Sequence, residues 1–151
     1  MSLWLADANI LVRPLQAGSP QGPLAGNALT QLLARGETVC LVPQVAYEFW
    51  AVCTRPIESK EGEKNGLGFT PNDTLRELQR LQRLLTLRED IPAIYPAWVA
   101  LVSGFGVSGR NAHDARLVAA MQVHGLTHLL TFNAAHFRRY PGLTVVEPHQ
   151  V

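Results

Sequence analysis

Three acidic side chains stand in apolar surroundings, where a carboxylate is unusual. Asp7 lies in LWLADANILV, Glu48 in VAYEFWAV and Asp114 in NAHDARLVAAM, whereas the other acids lie in polar segments or at the edges of predicted elements. Burial raises the pKa of a carboxyl group, and neighbouring carboxylates raise it further. Such groups therefore need cations beside them, either arginine side chains or a divalent metal ion.

Helical spacing puts two of these acids on apolar faces. Glu48 shares a face of a predicted helix with Val45 and Val52, so its side chain is expected to point with the apolar side. Asp114 begins a face that continues with Leu117. The alternative is that the three acids have only structural roles. Asp7 is then a turn residue, Glu48 is half-exposed, and Asp114 caps a helix and interacts with its dipole.

A polar amide follows a late apolar run in THLLTFNAAHF. The run stops at Thr131 and Phe132, and Asn133 comes next, either as the cap of the following helix or as one corner of a site. Asp7 closes the first apolar run in the same way. In an open parallel sheet, sites form outside the carboxyl ends of the strands. We therefore expect Asp7 and Asn133 at one rim of the sheet, together with helix starts.

The elements that must position these residues alternate along the chain. Apolar runs predict strands at 3–6, 39–42, 128–132 and 143–147. Capping and periodicity predict helices from Asn27 to Gly36, from Pro43, after Thr70, from Pro96 and from about His113 to His124. Alternating strands and helices predict an α/β fold with a parallel sheet covered on both faces. Residues 14–26 and 55–69 are predicted loops within one domain, 1–151.

Composition narrows the class of protein. The 151 residues contain no apolar run long enough to span a bilayer and no basic leader, so a cytoplasmic, non-membrane protein is expected. Cys40 and Cys53 are predicted to be buried and reduced. His124 and His128 are separated by Gly125, which ends the predicted helix and removes the geometry of a metal-binding pair. A net charge of +1 argues against a broad surface for duplex DNA.

The three acids together suit metal-assisted phosphodiester cleavage. Carboxylate oxygens with retained waters are the ligands that Mg²⁺ or Mn²⁺ prefers. Such an ion lowers the pKa of water and stabilises charge on a phosphoryl group. The cations of the chain are 11 arginines and 2 lysines, and arginine makes the forked contacts that phosphate accepts.

These segments, in this order, resemble the PIN-domain family and specifically its VapC-type ribonuclease toxins. The resemblance runs through LADANILV, VPQVAYEFWAVCTRP, NGLGFT, VSGRNAHDARLVAAM and HLLTFNAAHFRRYPGLTVVEP. It implies a three-layer α/β/α fold with a central parallel sheet of four to five strands. It also implies a Mg²⁺- or Mn²⁺-dependent endoribonuclease acting on single-stranded RNA such as tRNA or rRNA, a homodimer, and inhibition by a cognate antitoxin.

The resemblance assigns roles residue by residue. Asp7, Glu48 and Asp114 correspond to three acids of the site. Asn9 would support the first acid, and Thr131 is the hydroxyl that often precedes the fourth position. Asn133 occupies that fourth position, where many members carry Asp, so it offers oxygen without charge.

Other polar residues near the three acids could bind RNA or hold the site together. Arg110 and Arg116 flank Asp114, and we expect them to pair with a carboxylate in the resting protein or with a phosphate of the RNA. His113 precedes Asp114 and is predicted either to contact RNA or to make a hydrogen bond where the helix begins. His136 follows the Asn133 turn in a basic cluster suited to phosphate contact or to solvation.

Three other functions compete with a ribonuclease. GFGVSG at 104–109 matches G-x-G-x-x-G, but the residues before it read as a helix and no acid follows at the distance that a dinucleotide-binding domain needs. A PIN module that binds RNA or protein without cleavage is the nearer alternative, and the neutral Asn133 favours it. A phosphoacceptor receiver domain would need a lysine after a late strand, where neither Lys60 nor Lys64 stands.

Overall fold

A parallel sheet forms the middle layer of the molecule. The structure, a computed structural model, describes residues 2–57 and 66–151. In these ranges the strands are β1 (Leu3–Ala6), β2 (Thr38–Leu41), β3 (Thr86–Leu87), β4 (His128–Leu130) and β5 (Thr144–Val146). They pair in the order β3-β2-β1-β4-β5, and each pairing is parallel. The predicted α/β/α architecture with four to five strands is confirmed.

Helices connect the strands and cover both faces of the sheet. They are α1 (Ala8–Val12), α2 (Gln21–Ala34), α3 (Pro43–Thr54), α4 (Pro71–Leu84), α5 (Ile94–Gly104) and α6 (Asn111–His124). Helix α1 packs on α2 and α3, α3 packs on α4, and α5 packs on α6. None of the described helices combines the length and the apolar character that a membrane-spanning segment needs.

After their first residues, the three central strands β1, β2 and β4 are buried. Helices lie over both faces of the sheet, so these buried residues are apolar. Neighbouring strands pair Leu5 with Cys40 on one side and with Leu129 on the other. All three side chains are fully buried. Cys40 and Cys53 are buried and unbridged, as predicted.

The sequence located the starts of α3 and α4 and the end of α6 correctly. Helices α5 and α6 begin two residues before the predicted Pro96 and His113, and α1 was not predicted. Thr70 caps α4 by accepting a hydrogen bond from the backbone N–H of Asp73 at 3.1 Å. Gly125 ends α6 in the left-handed conformation with φ of 69°, which separates His124 from His128 as predicted. The segment before GFGVSG is helix α5, so this sequence does not follow a strand as a dinucleotide-binding loop must.

The region from 14 to 26 was predicted incorrectly as a loop. A 3₁₀ turn occupies Arg13–Leu15, and α2 begins at Gln21 rather than after Asn27. Pro23 lies in the first turn of α2, where backbone N–H groups have no partner within the helix, so proline is tolerated there. The short strand β3 was not predicted, because two exposed residues carry no apolar pattern. Most of the predicted 55–69 loop, residues 58–65 with both lysines, lies outside the described residues.

The order of the strands produces a switch point between β1 and β4, where a binding site can form. From β1 the chain continues to β2 on one side of the sheet and reaches β4 on the other, so β1 and β4 flank the switch point. Their carboxyl ends lead directly to Asp7 and to Thr131. The backbone N–H of Asp7 still bonds the carbonyl of Leu130 at 3.0 Å, which joins the two strand ends. Ligands bind beyond this edge in open α/β sheets.

Candidate active site

A polar cavity of about 320 Å³ opens at the carboxyl edge of the sheet. The structure brings together all three predicted acids there, and it places two of the predicted amides beside them. Three further polar side chains, which the sequence did not predict for a site, complete the wall. The polar lining residues are Asp7, Asn9, Arg13, Gln16, Glu48, Arg55, Asp114 and Asn133.

Asp7 is the most buried of the three acids, with 6% of its surface exposed. It caps α1: its Oδ1 accepts a hydrogen bond from the N–H of Ala8 at 2.8 Å. Its Oδ2 accepts from the hydroxyl of Thr131 at 2.8 Å. Neutral donors therefore fix both carboxylate oxygens, and no Lys, Arg or His in the described chain forms an ion pair with them.

A hydrogen-bond network joins the ends of β1 and β4 around Asp7. The Nδ2 of Asn9 lies 3.5 Å from Oδ2 of Asp7 and 3.4 Å from Oγ1 of Thr131. The Oδ1 of Asn9 accepts from the N–H of Phe132 at 3.3 Å, and the N–H of Asn133 donates to Oγ1 of Thr131 at 3.0 Å. Asn9 and Thr131 thus hold the first acid in place, which agrees with the supporting positions expected for them.

Asn133 precedes a single 3₁₀ turn, Ala134–His136, but its side chain makes no capping hydrogen bond with that turn. Asn133 thus occupies the N-cap position, but the alternative in which its side chain caps the turn is wrong. The chain turns through hydrogen bonds of the Asn133 backbone instead, which leaves the amide side chain on the cavity wall. Asn133 is thus a lining residue of the cavity.

Asp114 enters from the first turn of α6, with 27% of its side chain exposed. Its Oδ2 lies 3.4 Å from Nδ1 of His136, an ion pair whenever the imidazole is protonated. Apolar residues of α6, Leu117 and Met121, are buried beneath it and hold this end of the helix on the core. The predicted helical face with an acid at its start is confirmed.

Glu48 differs from its expected orientation. It lines the cavity, but the residue is exposed rather than directed inward with Val45, which is fully buried. Glu48 precedes the buried Phe49 by one residue, about 100° around α3, so it lies beside the buried face rather than within it. The three acids therefore form a gradient from buried Asp7 through half-buried Asp114 to exposed Glu48.

The electrostatics of the cavity disfavour three negative charges. Burial raises the pKa of Asp7, and the hydrogen bonds from Thr131 and Ala8 offset part of that rise. Desolvation also raises the pKa of Glu48, with the charges of Asp7 and Asp114 adding to it. Burial raises the pKa of Asp114 against the lowering effect of His136. A bound cation would remove this shared penalty.

The other predicted RNA-contacting residues lie around Asp114 rather than in the cavity wall. Arg116 points away: its guanidinium lies 3.1 Å from Oδ2 of Asp90 and donates to Gln44 at 2.9 Å, so the expected pairing with a carboxylate occurs outside the site. Arg110 is exposed at the start of α6. His113 is exposed, and its charge acts on Glu48 and Asp114 when it is protonated.

Arg13, Gln16 and Arg55 were missed by the sequence analysis. Arg55 follows Glu48 by seven residues, two helical turns, so the face carrying Glu48 and Val52 was a usable signal. No local signal marked Arg13, which begins the 3₁₀ turn after α1, or Gln16, which lies in the segment 14–26 predicted as irregular.

The donor chemistry fits a hydrated Mg²⁺ or Mn²⁺ ion. The cavity offers carboxylate and amide oxygens, and neither Cys nor His is among its lining residues. In residues 2–57 and 66–151, no three His, Cys, Asp or Glu side chains approach closely enough to ligate one ion together. Mg²⁺ usually keeps several waters and binds through one or two carboxylates. The expectation that all three acids hold the ion therefore requires water between it and part of the set.

The chain belongs to the PIN domain family, whose sequence profile matches residues 5–143. This range includes all three acids of the cavity, Asn9, Thr131 and Asn133. A comparison with curated protein sequences finds no match.

Solved structures share the fold at low sequence identity. VapBC2 from Rickettsia felis, bound to a DNA fragment from its promoter, has a chain that aligns with a TM-score of 0.69 and 16% identity, over 96% of this chain and 98% of the other. FitAcB from Neisseria gonorrhoeae aligns with a TM-score of 0.64 and 14% identity, over 98% of this chain and 99% of the other. Mycobacterium tuberculosis VapC20, described as a Sarcin-Ricin loop cleaving toxin, aligns with a TM-score of 0.63 and 16% identity, over 90% of this chain and 94% of the other.

Proposed function

We propose that this protein is a Mg²⁺- or Mn²⁺-dependent endoribonuclease that cleaves single-stranded RNA, and that residues 1–151 act as one PIN domain. The observation that carries the proposal is the convergence of Asp7, Glu48 and Asp114, with Asn133, on one cavity beside the switch point of the sheet. Acids with raised pKa values in a cleft mark candidate functional sites. RNA such as tRNA or rRNA is the proposed substrate class, supported by the description of VapC20.

Asp7 and Asp114 are the proposed principal holders of the ion, with Glu48 acting directly or through water. When bound, the ion would stabilise negative charge on a phosphoryl oxygen and would increase the acidity of water. Asp7 suits this role because Ala8 and Thr131 restrict its carboxylate to one orientation. The exposed Glu48 can accept a proton from water at the open side of the cavity. Asn133 orients water through its neutral amide.

We also propose that the protein is the toxin of a toxin–antitoxin pair, acts as a homodimer and works in the cytoplasm, where its RNA substrate is. The proposal draws on the neighbours, which are described as VapBC, FitAB and toxin–antitoxin complexes. The cognate antitoxin is expected to block access to the cavity. Light scattering of the purified protein tests the dimer: a mass near twice 16.6 kDa supports it, and the monomer mass contradicts it.

The decisive experiment is RNA cleavage by purified protein with Mn²⁺ or with EDTA. Wild-type protein should cleave only with the metal, and Asp7→Asn should reduce cleavage by more than about a hundredfold. Asp73→Asn is the matched control, because it makes the same chemical change at an exposed helix start. Cleavage that survives both EDTA and Asp7→Asn would falsify the mechanism.

A non-cleaving RNA-binding module is the second candidate, because Asn133 brings no charge to the fourth corner of the cavity. In that case wild-type protein binds a single-stranded oligoribonucleotide but leaves it intact with Mg²⁺ and with Mn²⁺. Measuring binding beside cleavage therefore separates the two functions.

A further inference from the structure

Two arginines line the carboxylate cavity without pairing with its acids. Arg13 and Arg55 both contribute to the wall that holds Asp7, Glu48 and Asp114. Neither forms an ion pair with any carboxylate in the described part of the chain. The charge of Arg55 nevertheless lowers the pKa of Glu48, so this arginine lies within electrostatic reach of the site. An arginine beside acids usually pairs with them, so the arrangement needs a reason.

Arg13 is held in place by neutral partners. Its Nε donates to Oε1 of Gln21 at 3.1 Å, and one terminal nitrogen donates to Oε1 of Gln16 at 3.2 Å. A guanidinium has five N–H donors in a fixed fork, and among the described residues these two contacts leave its other terminal nitrogen for a ligand. The residue is half-buried, which limits the motion of its side chain. Amide partners orient the group, and no carboxylate of residues 2–57 and 66–151 compensates its charge.

Arg55 is fixed mainly through its backbone at the end of α3. Its Nε donates to the carbonyl of Ala51 at 3.2 Å. Its own carbonyl accepts from the N–H of Gly68 at 2.9 Å, and the adjacent Phe69 N–H bonds the carbonyl of Cys53 at 2.8 Å. These bonds secure the helix end, so the guanidinium extends from a defined point beside Glu48.

We propose that Arg13 and Arg55 bind backbone phosphates of the RNA strand next to the bond that is cleaved. This inference rests on the proposed function and assigns positioning residues for it. Phosphate oxygens accept forked hydrogen bonds from guanidinium, and an uncompensated guanidinium attracts a polyanion that three carboxylates would repel. Near Asp114, Nδ1 of His136 lies 3.4 Å from Oδ2 of that acid, and the charge of Arg139 also lowers the pKa of Asp114. Basic residues therefore lie near Asp114 as well as near Glu48.

The test measures RNA binding apart from catalysis. Asp7→Asn protein is titrated with a fluorescent, mixed-sequence oligoribonucleotide of about 15 nucleotides, within the range of common single-strand site sizes. Each dissociation constant is determined at several salt concentrations. Adding Arg13→Ala or Arg55→Ala should weaken binding about tenfold, as expected for a charged hydrogen-bonded contact. Each change should also reduce the slope of log K against log salt by about 0.7, the value for one phosphate contact on a single strand.

Arg35 supplies the matched control. Its terminal nitrogen also donates to a glutamine, Gln31, at 3.2 Å, and it is exposed. It precedes β2 and so lies near the amino edge of the sheet, opposite the cavity. Arg35→Ala should leave both the affinity and the salt slope within error. Arg13→Lys keeps the charge but not the fork, so it should retain the slope and lose part of the affinity.

The outcomes separate this inference from the proposed function. If wild-type protein cleaves RNA but Arg13→Ala and Arg55→Ala match Arg35→Ala in affinity and slope, the inference is wrong and the nuclease stands. If the wild-type protein neither binds nor cleaves the oligoribonucleotide, both are overturned. Thermal melting checks folding of each variant. If Arg13→Ala unfolds, Arg13→Gln replaces it, because this variant removes the charge and keeps an amide for contact with the neighbouring glutamines.

Discussion

Asp7 shows how a single carboxylate can be well hydrogen-bonded and still unfavourably placed. Its partners Ala8, Asn9 and Thr131 are all neutral, and they orient the side chain without balancing its charge. The net effect is a raised pKa, because burial outweighs those hydrogen bonds. The ionised carboxylate of Asp7 is unfavourable in this site unless a cation lies beside it. The stability of the metal-free protein should therefore depend on pH through Asp7.

The first prediction concerns the pH dependence of stability. Because the pKa of Asp7 is higher in the folded protein than the ordinary value of 3.8, the folded state binds this proton more tightly than the unfolded state does. The stabilisation from the protonated carboxyl group is therefore lost as pH rises from 3.8 through the raised pKa. The unfolding free energy of Asp7→Asn should therefore gain on that of wild-type protein as pH increases across this window. Urea denaturation in EDTA measures the difference, and a difference that is constant with pH contradicts the prediction.

Asn133 is the corner of the cavity where charge is missing. Its backbone N–H makes the hydrogen bond to Thr131, so a side-chain substitution leaves the turn intact. Its amide lines the same cavity as the three carboxylates. A fourth carboxylate at this position would increase both the repulsion without metal and the attraction for a divalent ion.

The second prediction is that Asn133→Asp tightens Mn²⁺ binding about tenfold, since affinity for hard cations rises with ligand charge. Isothermal titration calorimetry measures the dissociation constant. Asn72→Asp, an exposed change at the start of α4, is the control and should have no effect. Equal affinities for Asn133→Asp and wild-type protein would remove Asn133 from the metal environment.

At the scale of elements, the packing of α2 against the turn after α1 sets the position of Arg13. Gly22 faces the backbone carbonyl of Arg13, and an added Cβ there would come within 2.9 Å of that oxygen. Backbone cannot yield as a flexible side chain does. Gly26, one turn further along the same helix, has open space around it. The two glycines thus separate the effect of close packing from that of helix propensity.

The third prediction is that Gly22→Ala and Gly26→Ala act in opposite directions. Gly26→Ala should stabilise the protein by about 0.5–1 kcal/mol, because alanine favours the helical backbone. Gly22→Ala should destabilise it by about 1–3 kcal/mol, as overpacking does. It should also weaken RNA binding by displacing Arg13. Urea denaturation and the oligoribonucleotide titration give the two readouts, and stabilisation by both substitutions would contradict the packing argument.

At the scale of the whole molecule, the site depends on the strand order. Asp7 and Thr131 are 124 residues apart, yet they hydrogen-bond because β1 and β4 are parallel neighbours. Glu48 and Asp114 reach the same edge from the helices that follow β2 and precede β4. No local segment holds more than one of the three acids. Separation of β1 from β4 would therefore break the hydrogen bond between Asp7 and Thr131 and disrupt the site.

The fourth prediction applies to the intact protein in a cell. If it is an RNA-cleaving toxin, its induced expression should arrest growth, because cleavage of RNA stops protein synthesis. Asp7→Asn should abolish the arrest, while the control Asp73→Asn should preserve it. Co-expression of the protein encoded immediately upstream should restore growth. Colony counts after induction decide the matter, and normal growth with well-expressed, folded wild-type protein contradicts a toxin.

Local sequence determined the identity of the acids, several helix ends and the class of fold. Thr70 and Gly125 act through neighbours within a few residues, so their capping roles can be read directly from the chain. The alternation of apolar runs and helical patterns requires buried parallel strands. Placing Asp7 and Asn133 at one rim followed from the same logic, since both succeed strands.

Only the tertiary structure decided how the acids are exposed, which cations accompany them and how closely they converge. The burial of Asp7, the exposure of Glu48 and the diversion of Arg116 to Asp90 depend on how helices pack. Gly22 allows α2 to pack closely against the turn that carries Arg13, since an added Cβ there would come within 2.9 Å of the Arg13 carbonyl oxygen. These features depend on contacts between residues that are far apart in sequence. Periodicity indicates only which residues share one face of an element. Packing between elements therefore fixed the site whose chemistry the sequence had already indicated.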